Sequence, residues 1–463
     1  MKTKYIFSIF FLAVFMALPS CKSFVEENPK GQMIPENTED YRYLLNYSAV
    51  FVNGYGNNEF GTDDIDLNQE NVTGILSGIE SSVNYYTFKK DLFTAALSDE
   101  EWTFLYQQVF YCNVVLTEVM NSKNGTDAEK NELYAEALVH RAYAYWVLVN
   151  QYSKMYNAST AATDAGVPMP TEPVINKNLT RASVKTVYDA ILKDVLYAAE
   201  ILPNKQPNKL YPSKAAAYAL LSRIYLIMDN YSQSAIYAEK TLSIQDSLTN
   251  LNDFVDDPSL LPRKIANPEL LIIKNSSFNV YALPFRLSED LLNTYTDGDL
   301  RYQLLIQDGQ TGANIGSLNF DGKAFVRSKL NGEDMNTGLT IPEVYLNLAE
   351  CYARLGDMDK SLHYLNKLLV NRYSTDSFTD VTATSKEELL ATVLLERRKE
   401  LLGNGMRWFD LRRLNKEPQF AKTVTHIYRG TSYTLEPNSA NYIFPIDTKV
   451  IKLNPEITQN ERN

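Results

Sequence analysis

The sequence predicts a mainly α protein: a scaffold of paired helices interrupted by irregular, loop-rich insertions, with little β structure. Two stretches carry that prediction. In residues 341–371, IPEVYLNLAECYARLGDMDKSLHYLNKLLVN, the positions Tyr345, Leu346, Ala349, Tyr352 and Ala353 fall at helical spacing. Gly356-Asp357 breaks the run, and Leu362, Leu365 and Leu369 resume it. Residues 215–242, AAAYALLSRIYLIMDNYSQSAIYAEKTL, repeat the layout: Tyr225 answers Tyr352, Asp229-Asn230 answers Gly356-Asp357, and Ser234-Ala235 answers Ser361-Leu362. Small residues let two such helices approach closely. A hairpin of this kind cannot bury its apolar face alone, so stacked neighbours must share a core.

The chain of 463 residues is long enough for one large repeat-built body, and 45% hydrophobic with 22% charged residues is the balance of a folded globular protein. Its formal net charge is -11, and removing residues 1–20 takes Lys2 and Lys4 with them, leaving -13. That balance argues against nucleic acid as a partner, since such binding draws on clustered Lys and Arg. Three cysteines are too few for a disulfide framework. Cys112 and Cys351 lie among apolar residues in helical patterns, where a free cysteine packs as a small hydrophobe; the sequence also leaves a Cys112–Cys351 bridge open.

Residues 1–20 read as targeting sequence. Lys2 and Lys4 give the positive start, and residues 6–18 give an apolar run too short to cross a bilayer. The ending Leu18-Pro19-Ser20-Cys21 has the form of a bacterial lipoprotein signal in which Cys21 is lipidated, an anchor that holds a protein on a membrane face without spanning it. Residues 21–38 form a polar tether, and 39–463 read as one domain. Helical patterns occupy 99–152, 184–242 and 339–403. Within them, Trp102, Tyr106 and Val109 mark one helix and Leu133, Ala137, Trp146 and Val149 the next. Ser183 and Pro203 bracket a third. Two segments lack a sustained period. Residues 51–86 hold five glycines with Asp63, Asp64 and Asp66, and residues 248–335 hold scattered prolines and glycines. Phe320 to Leu330 is a strand candidate, and the tail from Val424 to Asn454 reads as mostly extended.

Taken in order, several motifs resemble the SusD/RagB family of Bacteroidetes outer-membrane lipoproteins. They are Trp102-x3-Tyr106-x6-Asn113, Arg141-Ala-Tyr-Ala-Tyr145 with Gly166-Val-Pro168, Asp297-Gly-Asp-Leu-Arg301, Glu396-Arg-Arg-Lys-Glu400 and Gly405-Met-Arg-Trp408-Phe-Asp-Leu-Arg-Arg413. Phe444-Pro-Ile446 and the run from Asn454 to Asn460 complete the set, so the likeness covers essentially the whole mature chain. The acidic pair Glu26-Glu27 after Cys21 also looks like a surface-export signal of such lipoproteins. The resemblance implies a tetratricopeptide-like scaffold, an outer-membrane, cell-surface location through the Cys21 lipid, and a SusC-like TonB-dependent porin as partner. It implies binding of a polysaccharide or oligosaccharide for delivery to that transporter. Peptide binding in the same transport system is the alternative, and glycoside hydrolysis the less favoured third reading.

A glycan site needs aromatic platforms for sugar C–H faces and amide or carboxylate partners for hydroxyls. Composition nominates Tyr55, Phe60, Asp64, Tyr85 and Tyr86 in the first irregular segment and Phe278, Asn279, Tyr281, Phe285 and Phe320 in the second. A single ring among them reads as an anchor of its loop; the expectation is that two or three act together. Trp102 is a further candidate, although its spacing with Tyr106 and Val109 is that of a core residue, and Trp146 and Trp408 read as structural. No cofactor is expected. Asp63, Asp64 and Asp66 offer the oxygen ligands Ca²⁺ takes, but GTDDIDLNQEN lacks the glycine and terminal Glu of a twelve-residue calcium loop and reads as a solvated acidic turn. The charged run from Glu396 to Arg413 reads as an internal ion-pair network, with Asp410 in reach of Arg407 and Arg413. Enzyme signatures are missing: His140, His363 and His426 are far apart, and there is no HExxH, GxSxG or Walker A run.

Overall fold

The computed structural model describes residues 35–68, 80–94, 96–173, 179–276, 286–310 and 320–463. Cys21 and the targeting segment lie outside them. Ten helices of eight residues or more are found among the described residues. They are α1 (Thr38–Leu45), α2 (Glu100–Glu118), α3 (Asp127–Tyr152), α4 (Val184–Ile201), α5 (Lys214–Ile227), α6 (Tyr231–Ile244), α7 (Ile341–Leu355), α8 (Met358–Leu369), α9 (Lys386–Glu400) and α10 (Met406–Leu414).

Most of these helices start where the sequence supplies an oxygen for the free N–H groups of the first turn. Asp99 accepts from Trp102 at the head of α2, Ser183 from Thr186 at α4, and Thr340 from Glu343 at α7. Thr126 and Glu129 close a reciprocal capping box on α3. Successive helices pack as pairs, α2 on α3, α4 on α5, α5 on α6 and α7 on α8, with α6 also laid against α7 to join the two repeats.

The internal repeat is reproduced down to single bonds. In the first copy the Ser234 hydroxyl donates to the Ser222 carbonyl at 2.8 Å; in the second the Ser361 hydroxyl donates to the Ala349 carbonyl at 2.7 Å. Tyr225 stacks on Tyr237 with centroids 5.6 Å apart, and Tyr352 stacks on Tyr364 at 5.9 Å. Asn230 and Asp357 cap the returning helices. The corner needs a left-handed residue, met by Asp229 (φ 60°) and Gly356 (φ 88°). Each serine hydroxyl replaces a bulkier contact with a short bond to the facing backbone, which explains the close approach that the small residues predict.

Charged residues lie inside this stack, and they are paired. Arg223 on α5 grips Glu343 on α7 at 2.5 and 2.7 Å, and Arg413 on α10 grips Glu350 on α7 at 2.5 and 2.7 Å. The expected network in the last helices is present with one change of partner. Asp410 takes Arg397 (2.8 Å) and Arg413 (2.7 Å), whereas Arg407 turns away to Asp63 (2.7 Å). Spacing gives reach along a helix; tertiary packing chooses among the partners within it.

Strands form three two-stranded antiparallel ladders among the described residues: β1 (Ala165–Pro168) with β2 (Arg181–Ser183), β3 (Ile306–Asp308) with β4 (Lys323–Phe325), and β5 (Val424–Tyr428) with β6 (Thr431–Leu435). The β5–β6 register pairs Val424 with Leu435 and Tyr428 with Thr431 across Arg429-Gly430, both at positive φ as a two-residue hairpin requires. The extended tail is thus shorter than predicted. Asp447 caps a turn of helix, Thr448–Leu453, in place of strand. Likewise the strand expected from Phe320 to Leu330 narrows to three residues before the chain turns helical at Arg327–Asn331.

Cys112 and Cys351 are both buried and free, so the open question of a bridge closes. Burial pushes each thiol up to about 12.

Candidate functional site

The two irregular segments lie side by side. Asn53 bridges Asn275 and Ile65 bridges Leu287. The bonds are direct: Gly54 N–H donates to the Asn275 carbonyl (2.8 Å), Asp66 N–H to Arg286 (2.9 Å) and Ser288 N–H to Asp64 (2.9 Å). At Asp63 and Asp64 the acidic turn is a buried clamp, which corrects the reading of it as a solvated turn. Asp63 binds Arg407 and Lys422 at 2.7 Å each, and Asp64 binds Arg398 at 2.7 Å. Burial works to raise the Asp63 carboxyl, but Arg407, Arg398 and Lys422 together hold it well below the usual carboxylate range. Carboxylates already neutralised by guanidinium groups have little left to offer a hard cation. Among the described residues no group of three or more His, Cys, Asp or Glu is placed to hold a metal ion.

The aromatic platform expected in these segments is corrected in the same way. Tyr55 and Phe60 have no exposed surface, and Asp64, Tyr85, Tyr86, Trp102 and Phe320 are buried with them. Tyr55 lies edge-on to Phe409 (5.4 Å) beside Trp146, and Gly405 leaves it room: a Cβ there would stand 2.3 Å from the ring. Gly61 makes the same allowance for Trp408. Tyr85 packs on Phe444, Tyr86 stacks on His426 at 4.0 Å, and Trp102 meets the edge of Tyr152. Phe320 lies under Gly309. Rings enclosed on both faces cannot receive a sugar. Gly61 and Gly309, two of the glycines that made these segments look like displayed loops, are where the backbone yields to a ring of the body. Phe278, Asn279, Tyr281 and Phe285 lie outside the described residues.

What the structure adds is a cavity of about 100 Å³, apolar for the most part with polar groups set into it, between the second segment and the C-terminal end of α9. Thr249, Tyr295, Arg327, Glu333, Asn336 and Asn404 line it. Part of its wall is a closed shell of ion pairs. Arg372 binds Glu269 (2.6 Å) and Glu400 (2.9 Å), while Arg301 binds Asp299 (2.7 Å) and Glu396 (2.6 Å). Lys399 reaches Asp299 at 3.4 Å. Other lining groups have no partner among the described residues: Thr249 Oγ1, Asn336 Nδ2 and Asn404 Oδ1 are shielded from solvent and form no hydrogen bond with them. Such groups cost free energy unless a water or a ligand completes them. None of these residues stands out in the sequence. Asn, Thr and Glu are common in loops, and only the fold sets Thr249 and Asn404 on the wall of one cavity.

A second, more open depression of about 270 Å³ lies over the α4–α5 connection, where Lys205, Gln206, Asn208, Tyr211 and Gln245 face Pro268 and Leu271.

Comparison with known proteins agrees with this architecture. The family model described as starch-binding associating with outer membrane matches residues 24–226, and that of the SusD family matches residues 340–462. SusD-like protein P25 of Formosa agariphila is 20% identical, over 96% of this chain and 95% of its own length. A SusD superfamily protein from Bacteroides thetaiotaomicron superposes with a TM-score of 0.74 at 21% identity, covering 92% of this chain and all of the other. A laminarin-binding SusD-like protein superposes at 0.67 with 20% identity, covering 92% of this chain and 99% of the other. Two family models in sequence order, a full-length relative and a shared helical stack converge on one assignment: the chain belongs to the SusD/RagB family.

Proposed function

We propose that this protein captures a glycan at the outer surface of the cell and presents it to a SusC-like TonB-dependent transporter, without cleaving it. The observation that carries the reading is the cavity beneath the second irregular segment, where donors and an acceptor stand without partners among the described residues in a concave, largely apolar wall. Family membership supports it, and a structural neighbour is described as laminarin binding. Anchoring through a lipid on Cys21 would hold the body beside the transporter, and proximity then raises the local concentration of glycan at the channel mouth. No helix among the described residues is long and apolar enough to cross a membrane.

Binding without catalysis is the chemistry the side chains favour. Glycoside hydrolysis needs one carboxylic acid and one free carboxylate about the scissile bond. Here Glu269 and Glu400 are both tied to Arg372, and Glu333 accepts from the Lys264 N–H at 2.7 Å. His426 is committed as well, with its two ring nitrogens on the carbonyls of Tyr86 and Thr62.

The test is a calorimetric screen of oligosaccharides and peptides against the chain from Lys22 onward, which keeps every described residue. A glycan should bind, Asn336→Ala should weaken it about threefold to tenfold, and no new reducing ends should appear. Capture of peptides alone, or steady release of reducing sugar, would refute the proposal. Of the ring platform, Phe278, Tyr281 and Phe285 remain as candidates, and Tyr281→Ala belongs in the same series.

A further inference from the structure

Arg327 is the one cavity-lining arginine that stands apart from the ion-pair shell. Arg301 holds three carboxylates and Arg372 two, whereas the Arg327 side chain makes no hydrogen bond and no ion pair with the described residues. Its surroundings show the deficit. Burial pulls its pKa down from the ordinary arginine value, and the charges of Glu269, Glu400 and Glu333 fail to restore it against Arg372. A guanidinium presents a planar fork of donors matched to carboxylate or sulfate oxygens, and one without a counter-ion in a recess calls for such a group.

The neighbours specify more than an anion. Asn336 Nδ2 and the Thr249 hydroxyl add donors, while Asn404 Oδ1 is a bare acceptor because its amide nitrogen is already spent on the Asn336 carbonyl. An inorganic oxyanion leaves that acceptor unmet; a hydroxyl next to an acid group meets it. Size agrees. The cavity is smaller than the roughly 150 Å³ that encloses a benzene ring, so it admits an acid group and an adjoining hydroxyl while the sugar ring stays at the mouth.

We infer that the cavity is a subsite for an acidic sugar, a saccharide unit bearing a carboxylate or a sulfate ester, with Arg327 on the oxyanion and Asn404 on a neighbouring hydroxyl. This rests on the glycan-capture reading and names the class of glycan.

Calorimetry of the same chain with D-glucuronate, D-glucose 6-sulfate, D-glucose and inorganic sulfate tests it. At least one acid sugar should bind at least about tenfold more tightly than glucose and than sulfate. Arg327→Gln should abolish that preference with an unchanged urea midpoint, since the side chain has no bond to lose. Thr249→Val should weaken binding severalfold, and Lys323→Gln, outside the cavity, should leave it intact. Equal binding of glucose and both acid sugars, sulfate binding as tight as either acid sugar, or acid-sugar binding that survives Arg327→Gln would overturn the inference. If acid sugars fail while a neutral oligosaccharide binds in the wider screen, glycan capture stands and this subsite falls.

Discussion

Lys274 is fully buried without a carboxylate to pair with. Its ammonium donates to the Phe51 carbonyl (2.6 Å) and to Gln108 Oε1 (2.8 Å), and lies 3.2 Å from His140 Nδ1. One side chain thereby ties the second irregular segment to the first and to α2 and α3. Burial pulls its pKa from 10.5 down to about 7. The sign follows from proton counting. Between pH 7 and 10.5 the unfolded chain holds a proton that the folded one has released, so stability rises with pH across that window and falls away toward 7. Lys274→Met should lose this dependence. Urea midpoints taken from pH 7 to 10 should show wild type gaining a few kcal/mol on the variant; parallel curves would mean that Lys274 stays charged among its acceptors. Lys274 illustrates where sequence reading stops. A lysine in Leu271-Ile-Ile-Lys274 reads as a polar break in an apolar run, and nothing local announces Gln108 or His140.

At the scale of the element, α7 is the hub. Glu343 faces α5, Asn347 touches Ser222 and Arg397, and Glu350 receives Arg413 and Arg354. Burial works to raise Glu350, yet Arg413 and Arg354 hold it at about 2. Glu350→Gln takes one carboxylate from Arg413, which keeps Asp410, and from Arg354, which keeps Glu417, and a broken buried pair costs up to about 3–5 kcal/mol. Chemical denaturation should show a loss of that order, partly recovered by adding Arg413→Met; a loss below about 1 kcal/mol would mark the network as slack. Helices were legible because their signals are local: Ser183, Thr340 and Asp357 sit beside the turns they cap, and Tyr225 and Tyr352 recur within matching strings. The irregular segments were not, because their partners are remote. Tyr86 meets His426, and Asp63 meets Arg407, from the far end of the chain. A ring in a glycine-rich loop looks the same in sequence whether the loop is displayed or tucked in. The cavity was still less visible, being defined by what its atoms lack.

Across the whole molecule, the tail fastens the middle of the chain. Arg412 donates to the carbonyls of Asn150 and Ser153, Arg181 to Tyr152, and Asn460 to Tyr152 and Phe444, so the carbonyl end of α3 is capped by residues far from it in sequence. Arg462 completes the fastening on the carbonyls of Ile443 and Lys89. Ending the chain after Asn454 should lower the thermal midpoint and expose α3 and the Phe88–Lys89 turn to early amide exchange. Unchanged exchange there would mean that the last residues are ornament. The arrangement also sets an order of events during synthesis. A growing polypeptide must reach Asn460 before the carbonyl end of α3 is fully closed, so that helix stays unlatched long after its own residues have been made. Emergence of that late stretch becomes the moment at which the latch can shut.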